Sequence, residues 1–106
     1  MEAGVLGLLG LAQRAGALVA GTARVRVALQ RGNLELVIVA VDRSRRTDEK
    51  VVRLAHGKAV RVVLGPTATE LGRRLGRETV QVVGVTDPQL AKGIDAVSVP
   101  IGARRS

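Results

Sequence analysis

Leu34-Glu35-Leu36-Val37-Ile38-Val39-Ala40-Val41 is apolar without interruption from Leu36 onward. Valine and isoleucine dominate its centre, and β-branched side chains suit the pleated backbone of a strand. A strand with one wet face alternates apolar and polar residues, whereas a continuous apolar run marks a central strand covered on both sides. The segments on either side of this strand supply the covering layers.

Downstream, Asp42-Arg43-Ser44-Arg45-Arg46 is a charged connection. Thr47, followed by Asp48 and Glu49, predicts a cap and a negatively charged first turn for a helix reaching about His56, with Val51, Val52 and Ala55 facing inward. Val60-Arg61-Val62-Val63-Leu64 predicts a second strand, closed by Gly65-Pro66. Thr67 and Glu70 have capping-box spacing, Ala68, Leu71 and Leu75 form a helical stripe, and Gly76 stops that helix. Val80 to Thr86 predicts a third strand, and Asp87-Pro88 the start of a last short helix. Val97 to Ile101 fits only an edge strand, because Pro100 lacks a donor for a central ladder.

Upstream, Val5 to Ala15 reads as an apolar helix ending at Gly16, and Leu18-Val19 as a little extended chain before Gly21. Thr22 is placed as the cap of a helix from Ala23 to Arg31, stopped by Gly32, with Val25, Ala28 and Leu29 on its inner face and Arg24 and Arg31 on another. Helices alternating with β-branched strands predict a three-layer α/β/α sandwich around a small mixed, partly parallel sheet. One domain over 1–101, with a frayed basic tail at 102–106, is expected.

Charge points to a partner. The 106 residues carry 17 Lys+Arg against 9 Asp+Glu, a net charge of +8, and only Lys50, Lys58 and Lys92 are lysines. Guanidinium groups bind phosphate through rigid, multidentate donors, so a polyanion such as RNA is the expected partner. The chain has no Phe, Tyr or Trp, which excludes base stacking on aromatic rings; contact with RNA must use arginines, backbone donors and small apolar surfaces. It has no Cys, which removes disulfides, thiol nucleophiles and sulfur-ligated metals. The run Val5 to Ala12 is broken by Gln13 and Arg14 and follows Glu2, so it reads as a core helix rather than a signal segment. A cytoplasmic protein without membrane contact is expected.

Catalysis finds little raw material. His56 is the sole histidine and reads as a helix-end residue touching solvent. Asp42 follows an apolar strand, where α/β enzymes often place carboxylates, but capping or pairing with Arg43, Arg45 or Arg46 is its expected role. The spacing of His, Asp and Glu supplies no metal site, and no glycine run follows a strand in a nucleotide-binding pattern. The expectation is a protein that is not an enzyme and uses no cofactor or metal. The helix starting near Thr22 offers more: its free N–H groups and positive dipole end can receive a phosphate or the edge of a distorted RNA base pair, while Arg24 and Arg26 flank the backbone.

The order of segments then narrows the reading. Gly10-Leu11-Ala12-Gln13-Arg14-Ala15-Gly16, Val19-Ala20-Gly21-Thr22, and the stretch from Ala28 through Gly32 to Asp42 resemble the bacterial branch of the kink-turn-binding ribosomal-protein superfamily. Leu71-Gly72-Arg73 with Leu75-Gly76-Arg77, and Val83-Gly84-Val85-Thr86-Asp87, continue the resemblance in the same order, so that it spans approximately 5–95. It implies an α/β/α fold that recognises an RNA kink-turn, a bent helix with tandem sheared G·A pairs. Gly21, Thr22, Ala23 and Arg24 match the loop-to-helix segment that enters the RNA groove: Gly21 would permit close approach, Thr22 would orient the helix start, and Arg24 would contact a base edge or phosphate. Arg26 or Arg31 would steady the backbone. Arg77, Glu78, Thr79 and Val80 match a second loop that meets bulged nucleotides, with Thr79 and Val80 as its small polar and apolar surfaces.

The chain departs from the pattern at Ala23-Arg24, where archaeal and eukaryotic members usually carry Asn-Glu: alanine lacks the amide contacts and arginine reverses the charge. The stretch near His56-Gly57-Lys58-Ala59 is also shorter than in many relatives. The resulting expectation is a non-enzymatic, monomeric binder of structured RNA, a kink-turn or a related ribosomal RNA element, with ribosomal proteins as possible neighbours. The alternative is a ribosome-associated interaction module with only general RNA affinity.

Overall fold

A computed structural model describes residues 4–101. Its five-stranded sheet has the order β1-β4-β2-β3-β5, with β1 at Leu18–Ala20, β2 at Leu36–Val39, β3 at Arg61–Leu64, β4 at Val82–Val85 and β5 at Val99–Pro100. β2 and β3 run parallel and every other pairing is antiparallel, which gives the mixed sheet expected. The apolar run is the central strand: all four residues of β2 are buried. Its side chains alternate between two cores.

Leu36 and Ile38, with Val63, Val83 and Val85, face Leu9 of α1 (Val5–Arg14), Leu71 of α5 (Ala68–Arg74) and Ile94 of α6 (Pro88–Ala96). Val37 and Val39, with Val62 and Val82, face Val25 and Leu29 of α2 (Thr22–Gln30) and Val51, Val52 and Ala55 of the second helical stretch. Each buried valine, leucine or isoleucine contributes about 1.5–3 kcal/mol of transfer free energy. With helices on both faces, the chain is the α/β/α sandwich expected from the pattern. Among the described residues no helix is long and apolar enough to cross a membrane. The tail at 102–106 lies outside the described residues.

Local signals mostly act where the sequence puts them. Thr67 and Glu70 form the full capping box, Asp87 accepts from the Gln89 and Leu90 N–H groups ahead of Pro88, and Gly16, Gly32 and Gly76 take positive φ at the helix ends. Pro100 sits on the edge strand β5. Two caps differ. The residue at the N-cap of α2 is Gly21, and Thr22 is the first helical residue with no side-chain capping bond. In the second helical stretch Ser44 is the cap, accepting from the Thr47 N–H, and Thr47 lies inside the helix, 4% exposed. That stretch is a turn of α3 (Arg45–Thr47), a π segment (Asp48–Val52) and α4 (Arg53–Gly57). Ser and Thr are both good caps; the Thr47 hydroxyl instead donates to Gln81 Oε1 at 2.8 Å, which fixes Ser44 as the residue that begins the helix.

Candidate nucleic-acid interface

Antiparallel pairing brings the two expected loops to one end of the sheet. β1 runs into Gly21, β4 emerges from residues 77–81, and Ala20 pairs with Val83. Gly21 N–H donates to Val82 O at 3.0 Å, so the α2 turn and the start of β4 are joined directly. β2 ends on the same side, where Ala40 N–H donates to Gln81 O at 2.8 Å, and carries the Asp42–Arg46 connection there. That charged connection brings Arg43, Arg45 and Arg46 to the end of the sheet where Gly21 lies.

Gly21 has φ 99° and ψ 150°, a region essentially restricted to glycine. No atom lies within 4 Å of where its Cβ would stand, so the constraint is in the backbone and the space in front of it is open. Val25 N–H is the first to bond back, to Gly21 O, and no side chain caps the turn. The N–H groups of Thr22, Ala23 and Arg24 therefore remain as donors at the positive end of the helix dipole. No acidic residue occupies this turn. Ala23 and Arg24 are exposed, and Thr22 is half-buried.

Arg24 and Arg31 share one side of α2, where with Val19, Ala23, Val27, Ala28 and Asn33 they line a shallow groove of about 370 Å³. Arg26 faces elsewhere: its guanidinium donates to Lys50 O at 2.7 Å, fastening α2 to the π segment. That corrects the expectation of Arg26 as a free flanking cation. In the connection after β2, Arg43 is engaged by Asp48 at 2.5 Å and Ala40 O at 3.2 Å, while Arg45 and Arg46 are exposed. Asp42 accepts from Ala68 N–H at 2.8 Å, so it caps α5 as expected of it. His56 is an exposed helix-end residue with Nε2 3.1 Å from Ile101 O.

The second loop lies against α5. A Cβ on Gly72 would stand 2.6 Å from Glu78 O and 2.7 Å from Thr79 Cα, so only glycine lets this backbone come so near the helix. Arg77 N–H donates to Gly72 O at 2.7 Å and Val80 N–H to Ala68 O at 3.0 Å. Arg77, Glu78 and Thr79 are exposed, but Val80 is 4% exposed and belongs to the core around Leu71. Its side chain anchors the loop and offers no apolar surface to a ligand, which corrects the role expected of it. Gln81, absent from the sequence-derived site, ties the end of the second loop to the connection after β2 through its side chain: Oε1 accepts from Ser44 N–H and from Thr47 Oγ1, each at 2.8 Å. A lone glutamine before a strand carries no sequence signal for such a role.

Comparison with known proteins agrees with this fold. A Bacillus halodurans protein of unknown function is 33% identical and superposes with a TM-score of 0.84, over 91% of this chain and 97% of that one. A Giardia lamblia 15.5kD RNA binding protein, 21% identical, shares the fold with a TM-score of 0.68, over 88% and 86% of the two chains. No curated protein matches the chain. The model of the ribosomal protein L7Ae/L30e/S12e/Gadd45 family matches residues 3–94. With that match over most of its length, the chain belongs to the L7Ae/L30e/S12e/Gadd45 family.

Proposed function

We propose that this protein binds structured RNA without catalysing a reaction, and that its target is a kink-turn or a related ribosomal RNA element. RNA binding in general is supported by the family and by a fold neighbour that is itself named an RNA binding protein. The finer reading rests on one observation: an uncapped helix start, opened by a glycine-only backbone, lies beside a second loop through the Gly21–Val82 bond. Donors fixed in the α2 backbone read the edge of a distorted pair or a phosphate; Thr22, Ala23 and Arg24 form that edge, Arg31 extends it, and Arg77 and Thr79 flank it. The unit 1–101 acts as one monomeric domain in the cytoplasm and needs no cofactor.

The test is a titration of a kink-turn RNA and a length-matched regular duplex at several salt concentrations. Tighter binding of the kink-turn is expected. Five cations near phosphates, Arg24, Arg31, Arg45, Arg46 and Arg77, give a slope of log affinity against log salt of about −4 to −5. Equal affinity and equal slope for the two RNAs overturn the kink-turn reading and leave general basic attraction.

A further inference from the structure

We infer that Gln81 is a specificity-determining residue of this RNA site, its amide nitrogen donating to an acceptor on a base edge. The inference rests on the RNA reading above and adds to it a residue that neither loop pattern contains. Its basis is the orientation of one side chain. Ser44 N–H can only donate, so the Gln81 atom 2.8 Å from it must be the carbonyl oxygen, and the Thr47 hydroxyl donates to the same oxygen. Both lone-pair directions of Oε1 are thereby used. The NH2 group then occupies the other arm of the planar carboxamide, turned away from Ser44 N and Thr47 Oγ1, and among the described residues nothing accepts from it.

Its place gives that donor a use. Gln81 immediately precedes Val82, whose carbonyl receives Gly21 N–H, and its own carbonyl receives Ala40 N–H. It therefore stands where the α2 turn, the Asp42–Arg46 connection and the Arg77–Val80 loop converge, and it is only partly buried. The other donors at this end are backbone N–H groups and arginines, which suit phosphates as well as bases. A carboxamide held in one orientation by two bonds is a neutral donor, poorly suited to general phosphate attraction and well suited to an unpaired base carbonyl or ring nitrogen. In a chain without aromatic side chains, such a group supplies discrimination that stacking cannot.

Gln81→Glu tests this, because glutamate keeps the oxygen that Ser44 and Thr47 use and replaces the NH2 donors by a second acceptor. Wild type, Gln81→Glu and Gln81→Ala are titrated with kink-turn RNA and the matched duplex at one salt concentration, and the Ser44 and Thr47 amide NMR signals report on the local fold. The expected result is about a tenfold loss of kink-turn preference in both variants, with the two amide signals kept in Gln81→Glu. A loss confined to Gln81→Ala makes Gln81 a purely structural tie and overturns the assignment. So does an equal loss of affinity for both RNAs in Gln81→Glu, which is what added negative charge alone produces. If wild type has no kink-turn preference, the underlying reading falls as well; if it has one that Gln81→Glu retains, only Gln81 is removed from the site.

Discussion

Helices α2 and α5 begin at the same end of the sheet, yet their first turns are built in opposite ways. At α5, Thr67 accepts from the Glu70 N–H, Glu70 reaches back to Thr67, and Asp42 takes the Ala68 N–H. Each of these oxygens satisfies an orphan donor, and two are carboxylates placed to complement the helix dipole. At α2 the cap is a glycine, the first turn has no acid, and its third residue is Arg24, where α5 has Glu70. A cation beside the positive end of a helix costs stability. One helix start is completed by its own chain; the other keeps its donors uncapped, and it is there that the proposed RNA would complete it. The basic composition alone could not have made that distinction, since arginines lie near both.

The comparison is broken most severely at Gly21. Gly21→Val puts a β-branched residue at φ 99°, ψ 150°, and the expected cost is about 3 kcal/mol, read as a shift of the urea midpoint, together with loss of kink-turn RNA binding. Unchanged stability would mean that this backbone conformation is not needed. Gly72→Ala comes next. Its methyl would meet Glu78 O at 2.6 Å, and moving the second loop outward costs about 2 kcal/mol. Chemical-shift changes in Glu78 and Thr79, with little change at Gly21, are expected; a wild-type spectrum there removes Gly72 as the seat of the loop.

These two glycines also mark how far the sequence could be read. The continuous apolar run of β2, the Thr67–Glu70 spacing and the Asp87-Pro88 start are local signals that tertiary structure had no reason to override, and the sandwich follows from them. The errors fall where two residues could serve one role. Thr22 and Gly21 are comparable caps by propensity, but the turn out of β1 needs a positive φ that Thr22 would adopt only under strain. Ser44 and Thr47 can both cap, serine somewhat better, and a bond from Thr47 to Gln81, 34 residues on, takes Thr47 out of that role. Val80 sits in a polar loop, yet is pulled into the core because Val80 N–H reaches Ala68 O. For Arg26, a long-range bond to Lys50 O takes a side chain that helical spacing alone left free. The geometry around the proposed site was legible where local backbone signals make it and illegible where distant chain segments choose among side chains.

The mildest substitutions sharpen the comparison most, because they separate stability from affinity. Thr67→Ala opens the capping box of α5 and is expected to cost about 1 kcal/mol of folding stability with RNA affinity unchanged, since that turn is already satisfied internally. Arg24→Ala should do the reverse. Removing a cation from the N-terminal turn of α2 and installing the strongest helix former is expected to raise stability by about 0.3–0.5 kcal/mol. The same change removes one phosphate-proximal charge, so affinity should fall about fivefold and the salt slope should become shallower by about 1. Thermal melts and salt-dependent titrations on the two variants give four numbers, and the pattern matters more than any one of them. If Arg24→Ala destabilises the fold, the arginine is there for structure and the two helix starts are alike; if it stabilises the fold while weakening RNA binding, the chain maintains an unfavourable charge at α2 for the sake of the ligand.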